Sequence, residues 1–144
     1  MYEVELKLRT EHDGLRDSLA EIGAKPMGTV SQVDTYYDHP VRAFGETDEA
    51  LRIRRETDED GENATVTYKG PLLDDDSKTR EEIETSVDDG ETMAAVLESV
   101  GFEPAATVEK TRERYQHGEY TLALDSVTGL GEFLEVETEA EEIA

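Results

Sequence analysis

Alternation of polar and apolar residues runs through most of this chain, and the polar face of each alternating segment is chemically sorted. Glu3, Glu5 and Lys7 share one face of the first segment, while Val4, Leu6 and Leu8 share the other. Arg52 and Arg54 oppose Leu51 and Ile53; Thr65, Thr67 and Lys69 oppose Val66 and Tyr68. Arg80, Glu82 and Glu84 oppose Ile83 and Val87, Lys110, Arg112 and Arg114 lie together, and Asp125 opposes Leu122 and Leu124. Glu135 and Glu137 oppose Leu134 and Val136. A period of two places successive side chains on opposite faces of a strand, so the chain is committed to β-structure. Strands are predicted near 2–9, 29–37, 48–56, 63–70, 79–87, 106–117, 119–126 and 131–139.

Two stretches carry the helical period instead. Thr10 to Gly23 sets Leu15, Leu19 and Ile22 on one face, with Thr10 or Asp13 as cap and Gly23 at the end. Asp89 to Gly101 sets Met93, Val96, Leu97 and Val100 inward. Loops are expected at His39–Thr47, Thr57–Glu62 and Pro71–Ser77, where Asp74, Asp75 and Asp76 read as a solvated turn. The segment Leu19-Ala-Glu-Ile-Gly-Ala-Lys-Pro26 is echoed by Leu97-Glu-Ser-Val-Gly-Phe-Glu-Pro104 at an offset of 78, which continues through Val30/Val108 and Tyr37/Tyr115. Each half reads strand, helix, three strands. The expected fold is α+β: an eight-stranded antiparallel closed barrel with flanking helices, two pseudo-repeated halves, and one domain over 1–144.

Composition limits the partners. The 37 Asp+Glu against 14 Lys+Arg give a net charge of −23, which offers no overall field for nucleic acid or anionic membranes. With only five Lys, the acidity is that of a surface adapted to a high-salt cytoplasm. Zero Cys excludes a disulfide scaffold, a thiolate metal site and a thiol nucleophile. No apolar run approaches the ~20 residues of a membrane span, and the N-terminus lacks a signal-peptide profile; the expectation is a cytoplasmic protein, with a homodimer as a compatible assembly. His12, His39 and His117 lack metal-ligand spacing and read as surface residues.

Half of the scarce bases (Lys7, Arg52, Arg54, Lys69, Arg80, Lys110, Arg112) sit at the sorted strand positions. Two arrangements account for that. Either the charged faces meet salt and the apolar faces form the core, or the charged faces line the barrel and hold a charged ligand, because isolated buried charge costs several kcal/mol per ion. A polyphosphate with divalent metals meets the second demand: Arg and Lys take phosphate oxygens, and carboxylates take Mg²⁺ or Mn²⁺.

The ordered blocks carry a resemblance. Glu3-x-Glu5-x-Lys7, Val33-Asp-Thr-Tyr-Tyr-Asp38, Ala50-Leu-Arg-Ile-Arg54, Thr67-Tyr-Lys-Gly-Pro71, Arg80-Glu-Glu-Ile-Glu84, Lys110-Thr-Arg112 and Leu130-Gly-x-Phe-x-Glu135-x-Glu137 resemble, in order, those of the CYTH superfamily of triphosphate tunnel metalloenzymes. The branch they resemble is the class IV adenylate cyclase group. The resemblance implies a polar tunnel barrel acting on a nucleoside or inorganic triphosphate with Mg²⁺ or Mn²⁺. It implies Glu3, Glu5 and Glu135 as metal ligands, with Glu137 and Asp125 as further acids, and phosphate-binding roles for Lys7, Arg52, Arg54, Lys69, Lys110 and Arg112. Glu5, Lys7 and Glu135 fall at catalytic positions, and Arg80, Glu82 and Glu84 match a lumen strand. Tyr36 and Asp38 fit a recurrent block, and equally a core Tyr and a turn Asp. The implied reaction is ATP to cyclic AMP and pyrophosphate, with terminal hydrolysis of a triphosphate, or binding alone, as alternatives. Members of that branch continue past the last strand into a helical segment, whereas this sequence stops at Glu141-Glu-Ile-Ala144.

Overall fold

The computed structural model describes residues 2–73 and 79–140. Its elements are β1 (Tyr2–Arg9), α1 (Leu15–Glu21), β2 (Lys25–Asp38), α2 (Phe44–Thr47), β3 (Ala50–Asp58), β4 (Gly61–Lys69), β5 (Thr79–Val87), α3 (Gly90–Ser99), β6 (Glu103–His117), β7 (Tyr120–Val127) and β8 (Gly131–Ala140). The strands close an antiparallel barrel in the order β1-β5-β4-β3-β2-β6-β7-β8, the architecture that the patterning predicts. The Asp74–Asp76 run and residues 141–144 lie outside the described residues.

The internal repeat is visible in the register. Along the β2–β6 ladder, Tyr37 pairs with Pro104 and Pro26 with Tyr115, while Gln32 faces Lys110. The first two pairs exchange under the offset of 78, and the third maps onto itself. A pseudo-two-fold axis therefore passes through Gln32 and Lys110, deep in the barrel wall.

The apolar core lies outside that wall, because the strands turn their charged faces inward. One cluster packs Leu19 of α1 and Ala24 on Leu122 and Leu124, with Leu15, Tyr115, Leu134 and Val136 around them. The other packs Leu97 of α3 on Tyr37 and Ile53, with Met93 and Phe102 alongside. Only the central stripe of each helix reaches the wall. Ile22, Val96 and Val100, expected inward, are 53%, 50% and 63% exposed, since a straight helix on a convex surface touches it along a line.

Other boundaries also shift. Neither Thr10 nor Asp13 caps α1, which starts after Gly14 in a left-handed conformation without a side-chain cap. The preceding residues follow β8 instead: Thr10 N–H donates to the Glu132 carbonyl. At the other helix, Asp89 caps α3 by accepting from the amides of Glu91 and Thr92. The expected Thr57–Glu62 loop shrinks to a tight hairpin, in which Asp58 Oδ1 accepts from the amides of Asp60 and Gly61. The expected His39–Thr47 loop contains the short α2, and β2 and β6 begin earlier than predicted. No described helix is long and apolar enough to cross a membrane.

Leu124 is 1% exposed beneath α1. We expect Leu124→Ala to cost about 2–5 kcal/mol, because the cavity it leaves is on the packed side of the wall. Urea unfolding measures it, and a loss below ~1 kcal/mol would show that this contact is not core.

Candidate functional site

The inward faces bring the sequence-predicted residues together in the lumen. On β1 and β8, Glu5 lies directly opposite Glu137 and Lys7 opposite Glu135. Carboxylate oxygens of Glu3, Glu5, Glu135 and Glu137 come within 4.8 Å of one another. Glu3 and Glu135 are buried, 7% and 5% exposed. Like charges opposed across a ladder repel. Burial, with Glu135 and Glu3 beside it, raises the Glu137 carboxyl to about 7. Burial also raises Glu3, helped by its hydrogen bond with Glu82 and opposed by Glu5 and Lys69. Lys69 Nζ sits 2.9 Å from Glu3, 3.7 Å from Glu5 and 3.9 Å from Glu82. Four crowded hard-oxygen donors with one ammonium among them suit a hard divalent cation.

The bases divide into pinned and loosely held groups. Arg54 binds Asp34 bidentately at 2.7 and 2.8 Å. Arg112 binds Asp125 at 2.7 Å through two nitrogens and reaches Glu135 at 2.7 Å. Asp125, implied with the metal carboxylates, therefore stands apart from the four-carboxylate group as the partner of Arg112. Arg114 is pinned on Glu56, which also accepts from Gln32.

Arg52 is different. It is 8% exposed, an Nη lies 3.4 Å from Thr67 Oγ1 and 3.9 Å from Glu84, it also meets the Tyr36 hydroxyl, and its Nε has no hydrogen-bond partner. Lys110 Nζ is 3.8 Å from Asp34 and 3.7 Å from Asp125, beyond hydrogen-bond reach. Lys7 is half exposed, 4.0 Å from Glu135. These three bases, with Arg54, Lys69 and Arg80, line a cavity of about 370 Å³ that also touches Tyr36. Arg80 turns at its rim to donate to the Asp48 and Gly70 carbonyls and the Asp48 carboxylate. Glu82 is part-buried in the lumen wall, and Glu84 accepts from Thr67.

Several functional side chains escaped the sequence reading. Asp34 is fully buried between Arg54 and Lys110. Burial would raise it, but the hydrogen bonds and charge of Arg54, with Arg52 and Lys110 nearby, hold it below the usual carboxylate range. Gln32, Asp34 and Tyr36 alternate along β2, which is the signal that marks them. Asp38 is the turn residue, accepting from the amides of His39 and Phe44. One expectation is overturned: His12 is 4% exposed, 3.0 Å from both the Phe133 carbonyl and the Glu132 carboxylate, because residues 10–14 are tied to β8. His39 is half-buried against Phe44 and Phe102.

This charged barrel is one already known in other proteins. The CYTH domain matches residues 1–144. A Methanocaldococcus jannaschii protein provisionally named an adenylate cyclase is 42% identical over 144 residues, covering 99% of this chain and 80% of its own. The PH1819 protein of Pyrococcus horikoshii is 41% identical, with a TM-score of 0.90 over 97% of this chain and 79% of that one. A Hippeastrum protein provisionally named an adenylyl cyclase, with a dominant triphosphatase activity, shares the fold at 21% identity and a TM-score of 0.69, over 98% of this chain and 80% of that one. The chain belongs to the CYTH domain family.

Lys110 yields a pH dependence. Burial, then Arg112 and Arg54, lower its pKa to about 8 against the opposing pull of Asp125 and Asp34. The cation is present below that value and lost above it. The affinity of the metal-free protein for inorganic tripolyphosphate is expected to hold below pH 8 and fall roughly tenfold above it, the worth of one charged hydrogen bond. Lys110→Arg keeps its charge and is expected to flatten the calorimetric profile; an unchanged fall would remove Lys110 from the anion site.

Proposed function

We propose that this protein is a metal-dependent phosphoryl-transfer enzyme acting on a triphosphate, and that hydrolysis of the terminal phosphoryl group is the reaction its cavity favours. The observation carrying this reading is the under-partnered Arg52 guanidinium in a cavity that also meets the carboxylate group. Its partners in the protein leave hydrogen-bonding capacity that an anion can take up, and Arg can grip phosphate oxygens bidentately. Lys7 and Lys110 are the next bases with unmet capacity, while Asp34 holds Arg54 in place.

Glu3, Glu5, Glu135 and Glu137 would hold the divalent cation, Mg²⁺ or Mn²⁺. Such an ion supplies neutralisation of charge developing on phosphate oxygens. The protein's own part is positioning and electrostatic stabilisation, which dominate phosphoryl transfer. In hydrolysis a water oxygen bonds to the terminal phosphorus as the bridging P–O bond breaks. Pyrophosphate leaves from inorganic triphosphate, and the water proton passes to a neighbouring base. Nine of the eleven described residues around the cavity carry charged side chains, Leu6 and Tyr36 being the other two, which suits recognition of the triphosphate itself. The Hippeastrum protein's dominant triphosphatase activity accords with this reading on the same fold.

The second reading is ATP cyclisation, favoured by the provisional adenylate cyclase name of the 42% identical relative. There the ribose 3′ oxygen would bond to the α-phosphorus, its proton would leave, and pyrophosphate would depart.

Product analysis separates the readings. Protein in KCl with Mg²⁺ or Mn²⁺ is given inorganic triphosphate or ATP; orthophosphate with pyrophosphate from the former supports hydrolysis, and cyclic AMP with pyrophosphate from the latter supports the cyclase. Binding without turnover of either would leave a binding barrel and overturn both. Glu5→Gln is expected to lower metal-dependent turnover at least 100-fold while leaving the unfolding midpoint nearly unchanged; full activity would remove Glu5 from the site. Arg52→Ala is expected to weaken triphosphate binding by about 10–100-fold, corresponding to ~1.5–3 kcal/mol, whereas Arg16→Ala, at an exposed pair with Glu113, is expected to change it less than twofold.

A further inference from the structure

The lumen holds two cavities of opposite character. The one containing Lys7 and Lys110 is bordered by six bases and three carboxylates. The second, about 140 Å³, is bordered by six carboxylates and four arginines. Three of those arginines are locked bidentately on further acids: Arg54 on Asp34, Arg112 on Asp125 and Arg114 on Glu56. The second cavity is therefore acidic in effect as well as in count. A shallower depression bordered by Glu119, Glu137 and Glu139 continues it outward.

The four-carboxylate group spans the boundary. Glu3 and Glu135 border both cavities, Glu5 borders only the basic one, and Glu137 only the acidic one. Glu82 adds a further sign of cation affinity. Its side chain is 10% exposed, and its Oε2, with Lys69 Nζ at 3.9 Å, accepts no hydrogen bond although the residue borders the acidic cavity. A cleft of one charge sign concentrates ions of the other and raises their association rates by 10–10³.

We propose that the barrel is loaded from both ends. The anionic substrate enters the basic mouth, and divalent cations reach the carboxylate group through the acidic mouth, with Glu82 and Glu139 as the port. The inference rests on the triphosphate reading for its basic end, but the port itself requires only that the carboxylates take a cation. It gives the protein a way to exchange metal while a polyphosphate occupies the basic cavity.

The chain holds no Cys, so single cysteines can carry plugs. Lys7→Cys and Glu139→Cys are each coupled to the same bulky maleimide, blocking the basic and acidic rims respectively. Mn²⁺ association is followed by loss of the free-ion EPR signal after rapid mixing, at the lowest KCl that keeps the circular dichroism native. The adduct at position 139 is expected to slow association at least tenfold more than the adduct at position 7 does. Glu139→Gln without an adduct is expected to slow it several-fold, an effect that shrinks as KCl rises. Equal slowing by both adducts, or slowing only by the adduct at position 7, would overturn the port. Should either adduct unfold the protein, Glu139→Gln and Glu84→Gln carry the test, and unchanged Mn²⁺ rates in both would overturn it equally. Asymmetric Mn²⁺ entry in a protein that turns over no triphosphate supports the port and removes the enzyme reading; turnover with symmetric entry removes the port alone.

Discussion

Charge pairing between neighbouring strands is the condition on which this barrel depends. Turning Arg, Lys, Asp and Glu inward removes them from water, and each ion left unpaired would cost several kcal/mol. The barrel meets that cost at fixed ladder positions, where Asp34 faces Arg54 and Arg112 faces Asp125. Each pair is bidentate, so the guanidinium is held in one orientation as well as neutralised. Once those pairs form, the apolar faces have only the outside of the wall to pack on, and α1 and α3 supply the cover. The lumen chemistry thus decides where the hydrophobic core can be.

Pairing also decides which bases remain available. Arg54, Arg112 and Arg114 are saturated by carboxylates, so they shape the field without offering a free fork. Arg52 faces Thr67 across the ladder rather than an acid, and is left with unmet capacity. For Arg54, Arg112 and Arg52, then, whether the guanidinium is saturated or left with capacity follows from the residue opposite it.

That is why the sequence was legible to different depths. Strand count, face sorting and the repeat follow from local alternation, which puts Glu3, Glu5, Lys7, Arg52 and Glu135 on charged faces; that those faces turn into the lumen comes from the family resemblance, not from the period. The division of bases into pinned and loose follows from neither, since it requires the register of β2 on β3 and of β6 on β7. Arg114 shows the difficulty: it shares a face with Lys110 and Arg112, yet its partner Glu56 comes from 58 residues away. His12 shows another, for its burial comes from contact with β8 rather than from any period of its own. Ile22 and Val96 carry a correct helical period, and the curvature of the wall leaves them outside it.

The pseudo-two-fold explains how a repeated fold can hold an asymmetric complex. Matching ladder positions through the axis at Gln32 and Lys110 relates Asp34 to Arg112, Arg54 to Asp125, Thr67 to Glu135 and Lys69 to Glu137. Charge is inverted at the first two and acquired or reversed at the others, so the backbone repeats while the field does not. Among the strands so related, β3 and β4 carry the bases and β7 and β8 the acids, while β6 adds Lys110, Arg112 and Arg114 and β1 and β5 add Glu3, Glu5, Glu82 and Glu84. A symmetric lumen would oppose like to like and suit neither ion of a metal–anion pair. The inverted one sets a cationic wall against an anionic one across the lumen, which is the field that a polyanion and its counter-cation require together.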